Sequence, residues 1–122
     1  MTQERAPSVV SFQVLLIDMS HYAGEENERT ISGFPTRDEA IDYARRRVRD
    51  SIEELRKPDQ SKEELRHLWF LFGEDALVPG DPAYHASNDL DDFLQHPATP
   101  EERNWSAVEK RLGNLIILSL RQ

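Results

Sequence analysis

The chain has 122 residues, of which 38% are apolar and 31% charged, and its net charge is −8; that length suits one core of its own, is too short for two, and the composition excludes a disordered chain. An acidic chain has no overall positive field with which to release counterions from phosphates, so nucleic acid is set aside as the main partner. With no cysteine, disulfides, thiolate zinc sites and cysteine nucleophiles are excluded, and any chemistry must come from carboxylates, histidines or hydroxyls.

The opening "MTQERAPS" lacks the apolar stretch of a signal peptide, and no later run approaches bilayer length. The expected compartment is therefore the cytoplasm, with no membrane association. Repeats, low-complexity tracts and long linkers are lacking, which predicts one domain over residues 1–122 behind a flexible polar tail at 1–8.

In chain order, "VVSFQVLLIDM" (9–19) is β-branched and aromatic, with Val10, Phe12, Val14 and Leu16 alternating on one face. Leu15, Ile17 and Met19 make its far end apolar on the other face too, so that end is expected to be buried on both sides. A second strand, roughly 28–34, follows the acidic stretch "SHYAGEENE", and the two are predicted to form an antiparallel hairpin with a long connection. A long helix comes next, opened by a Thr36/Glu39 capping box and striped by Ile41, Ala44, Val48, Ile52 and Leu55. Pro58 ends it, and Ser61 with Glu64 offers a second capping box.

The run "LRHLWFLFG" fits either a helix with Leu65, Leu68, Trp69 and Phe72 on one face or a buried strand. The cap at its start and Gly73 at its end favour the helix. "EDALVPGDPAYHASND" reads as an irregular connection with a brief extended piece at 76–78. Ser87 or Asn88 then caps a short helix with Leu90, Phe93 and Leu94 inward, ended by Pro97. Thr99, Pro100 and Glu102 form a third capping box for a helix that buries Trp105, Val108 and Leu112 up to Gly113. The last segment, "LIILSL" (115–120), is apolar on both faces and is expected to be an internal strand beside the first. The predicted architecture is α+β: a small, mainly antiparallel sheet, made of the N-terminal hairpin plus the C-terminal strand, covered by three to four helices.

Four strings, "DMSHY" after the first strand, "FPTRDEA" at the long helix, "SKEEL" and "FGED", resemble a family of small bacterial proteins over roughly residues 12–90. The resemblance supports the helix before Gly73, carries no activity, cofactor or partner, and singles out Asp18, His21, Tyr22, Phe72, Gly73, Glu74 and Asp75.

Asp18 leaves a strand end and His21 follows three residues later, so the carboxylate can accept a ring N–H and raise the basicity of the other nitrogen. Glu74 and Asp75, if they converge there, would complete a set for a divalent metal or for acid–base work. The alternative is structural: Asp18 and His21 hold the turn, and Asp75 caps the segment after Gly73. Glu25, Glu26 and Glu28 read as a solvated hairpin tip, "NDLDD" lacks the glycine and glutamate of a calcium loop, and His67, His85 and His96 read as surface or boundary residues. The arginines of "ARRRVR" (44–49) are flanked by Asp42, Asp50, Glu53 and Glu54 at helical ion-pair spacing, which predicts a solvated face.

Four consecutive large apolar residues, 69–72, exceed what one helix buries. Either the loop from Asp75 to Ser87 covers Phe70 and Leu71, or Trp69, Phe70 and Leu71 belong to an interface. The favoured function is an acidic binding or regulatory module for a protein partner or a second copy, with no cofactor. The alternatives are a metal-dependent or acid–base enzyme using Asp18, His21, Glu74 and Asp75, and an immunity or antitoxin-like protein that binds a basic partner.

Overall fold

The structure, a computed structural model, describes residues 11–20 and 27–120, with the backbone alone over 114–120. The elements in order are β1 (Phe12–Asp18), β2 (Glu28–Phe34), α1 (Arg37–Leu55), α2 (Lys62–Phe72), β3 (Glu74–Val78), β4 (Tyr84–His85), α3 (Leu90–Gln95) and α4 (Trp105–Leu120). The four strands form one antiparallel sheet in the order β2-β1-β3-β4. The fold is α+β, as the sequence predicts, and among the described residues no helix is long and apolar enough to cross a membrane.

The alternation in β1 sends Val14 and Leu16 into the core, while Leu15 and Ile17 on the opposite face are half-buried rather than buried. Val9 and Val10 and the tail at 1–8 lie outside the described residues. In β2, Ile31 packs against the core and Phe34 is buried, although an odd spacing of three would place them on opposite faces. A bulge resolves the conflict: Phe12 pairs with Phe34 and Val14 with Ile31, so β2 spends one residue more than β1. Gly33 sits in it at φ 99°, a conformation that disfavours any side chain.

The Thr36 hydroxyl accepts from the Glu39 N–H at 3.1 Å and starts α1, which crosses β1 and β3 and contacts the other three helices. It buries Ala40, Tyr43, Ala44, Val48 and Ile52, and also Arg47 and Arg49. The predicted solvated arginine face is thus corrected at two positions. Of the expected ion pairs on α1, Asp42 meets Arg46 at 2.9 Å. Asp50 instead reaches Arg103, and Glu53 reaches Arg56.

Both halves of the Ser61/Glu64 capping box form, and α2 buries Leu65 and Trp69. Gly73 caps the helix in an extended conformation, its N–H donating to the Trp69 carbonyl, and a Cβ there would collide with the Trp69 indole. The chain then enters β3 directly: the brief extended piece expected at 76–78 is there, but it begins at Glu74, and 84–85 adds a further short strand to the predicted irregular connection. Ala76 and Val78 face the core, and Glu74 to Leu77 pair with Asp18 to Leu15.

The expected C-terminal strand is absent: the backbone of residues 115–120 continues α4. β1 already has β2 on one edge and β3 on the other, so no place remains beside it. A leucine-rich run is also a good helix former, and Gly113 lies in open space where it costs α4 only about 1 kcal/mol. The Thr99/Glu102 box forms, but it closes a short 3-10 turn at Glu101–Arg103; Asn104 caps α4 itself by accepting from the Ala107 N–H at 3.2 Å.

Candidate functional site

Side chains alternate along a strand, so Asp18 points to the same side as Val14 and Leu16, and Glu74 to the same side as Ala76 and Val78. The two are register partners at the end of the sheet. They open onto a cleft of about 270 Å³ between β1, β3, α1 and the start of α4, whose walls include Arg47, Asp50, Ser51, Glu54, Phe72 and Trp105. Asp75 lies one residue from Glu74 and therefore on the opposite face, where it accepts from the Ser87 hydroxyl and the Ala76 N–H, both at 2.8 Å. His21, Tyr22, Glu25 and Glu26 lie outside the described residues. Of the proposed set, the fold brings Asp18 and Glu74 together and turns Asp75 away.

Arg47 organises the cleft. Its Nε and Nη2 donate to the two Glu74 oxygens at 2.9 Å each, and its guanidinium lies 3.9 Å over the Trp105 ring. Nη1 donates to the Tyr43 hydroxyl at 3.3 Å, and that hydroxyl donates to Glu109 at 2.5 Å. Burial pulls the Arg47 pKa down, but the hydrogen bonds and charge of Glu74 outweigh it and the net shift is upward. Burial pushes the Tyr43 phenol up, reinforced by its bond to Glu109 and partly opposed by Arg47. The result is a fixed chain of charge-assisted bonds from the cleft into the core.

This arrangement limits what the cleft can do chemically. Glu74 is held bidentate by Arg47, and Asp50 accepts from Arg103 and from the Trp105 indole N–H. The Ser51 hydroxyl donates to the Val48 carbonyl at 2.8 Å, reaches the Glu74 carbonyl at 3.3 Å and accepts from the Trp69 indole. Asp18 accepts from both the N–H and the hydroxyl of Ser20, at 2.9 and 2.6 Å, which is the turn-holding role that the sequence also allows. No group of three or more His, Asp or Glu residues able to hold a metal occurs among the described residues.

The cleft merges at one edge with an apolar ridge. Phe70, Leu71 and Phe72 are 49, 46 and 59% exposed, and Phe72 lines the cleft. The loop expected to cover Phe70 and Leu71 is committed elsewhere, because residues 74–78 and 84–85 are sheet strands. Trp69, grouped with them on sequence grounds, is fully buried and belongs to the core. Phe70 stands edge-on to Trp69 with Arg66 above it, which fixes the ridge at its base.

Two of the other hollows among the described residues carry less. A shallow groove of about 630 Å³ runs along Lys57–Gln60, Glu63, His67 and Leu68. In the other, about 370 Å³ and lined by Arg45, Arg46 and Arg49, the cations already meet Asp89, Asp42 and the His96 carbonyl. His67, His85 and His96 are exposed.

Sequence reasoning missed Arg47, Asp50, Glu54 and Trp105 as members of the site. A signal for Arg47 exists: it stands four residues after Tyr43 and three after Ala44, inside the buried stripe of α1. No protein-family model, curated protein or solved structure matches this chain.

Proposed function

We propose that this chain is a binding module that docks a protein partner on the Phe70–Leu71–Phe72 ridge and the adjoining cleft. One observation carries the reading: three consecutive large apolar side chains stand about half exposed on a helix end pinned by Trp69 and Gly73. Apolar surface in water forgoes roughly 25 cal/mol per Å², and aromatic residues of this kind form the energetic centre of protein interfaces.

The test uses the pair Leu71→Ser and Phe72→Ser, exposed positions whose replacement spares the core. A protein captured from a native lysate by the wild type is purified and its affinity measured for both chains. The double variant should bind at least tenfold more weakly. Equal affinity for both chains removes the reading, as does a wild type that captures nothing and runs as a monomer.

A second reading, an immunity or antitoxin-like role toward a basic partner, draws support from the carboxylates of the cleft. Its mark is affinity that falls steeply with salt, and salt-insensitive binding excludes it. An enzyme built on Asp18, His21, Glu74 and Asp75 gains no such support, since Asp75 faces away and Glu74 is taken up by Arg47.

A further inference from the structure

We draw no further inference here: the strongest candidate, the hollow between α1 and the Thr99–Glu102 turn, where the buried Arg49 Nε has no hydrogen-bond partner among the described residues, carries nothing because Arg45 and Arg46 already meet Asp89 and Asp42, and Glu101 and Glu102 share its wall.

Discussion

Arg47 lies 7% exposed and is tolerable there because Glu74, Tyr43 and the Trp105 ring together replace its hydration. Removing one partner of such a pair strands the other charge, at a cost of roughly 3–5 kcal/mol when both are buried. Glu74 keeps 25% of its side chain in water, so Glu74→Ala should cost less, about 2–3 kcal/mol by urea unfolding. Adding Arg47→Met should recover much of that loss, and a double variant weaker than both singles combined would contradict this account. Gly73→Ala tests steric exclusion instead: its Cβ meets the Trp69 indole, which should cost about 1–3 kcal/mol and quench or shift tryptophan emission.

Tyr43 gives a pH signature. Its folded pKa is raised, so the folded chain holds the phenol proton more tightly than the unfolded chain. The contribution is fully present below about pH 10, where an unfolded tyrosine begins to ionise, and is lost as pH rises through the folded value. The urea midpoint should therefore fall above about pH 10, and Tyr43→Phe should flatten that decline; Tyr84, raised mainly by burial, adds in the same direction. A wild-type midpoint constant from about pH 9 to 11 would contradict the buried phenol.

Among the elements, the Ser61/Glu64 and Thr99/Glu102 capping boxes were legible in the sequence because they depend on residues three apart; at Thr36 the hydroxyl half forms, while the Glu39 carboxylate meets Arg111. Ser61 and Glu64 satisfy each other's backbone N–H groups within one turn, whatever the rest of the fold does. Ser61→Ala should cost about 1 kcal/mol, read as loss of helical signal and a lower unfolding midpoint. Backbone hydrogen bonds from Ser61 and Thr99 hold the Glu64 and Glu102 carboxyls below their usual range, with Arg49 adding to the effect at Glu102. The sign is opposite to that of Tyr43: these caps act fully above the ordinary carboxylate pKa, and their help fades as pH falls below it.

The elements that local pattern missed depend on distant neighbours. "EDALV" has no turn chemistry to exclude a strand, but only the edge of β1 makes it one. "LIILSL" is apolar all round and fits either state by periodicity. It is helical here because the sheet's centre is already filled. The bulge at Gly33 likewise follows from pairing two core residues, Ile31 and Phe34, with Phe12 and Val14.

For the molecule as a whole, the net charge of −8 is spread over a surface on which the cleft beside Phe72 is lined by several carboxylates. Association with a basic partner should therefore slow and weaken with ionic strength, by roughly tenfold between low and high salt, chiefly through the on-rate. Stopped-flow or surface-binding kinetics would show it; a salt effect confined to dissociation would place the charges elsewhere.

Composition and local spacing by themselves determined the class of fold, the N-terminal hairpin, the first two helices with their caps, the excess of apolar residues at 69–72 and the exclusion of cysteine chemistry, because each rests on contacts within a few residues or on residue type alone. Only the tertiary structure decided that Asp18 and Glu74 share a cleft while Asp75 faces away, that Arg47 leaves the solvated face to lock Glu74, and that Phe72 joins ridge to cleft. Strand register and helix crossing set which side chains meet across 27 to 56 residues of chain, and no local pattern encodes those distances.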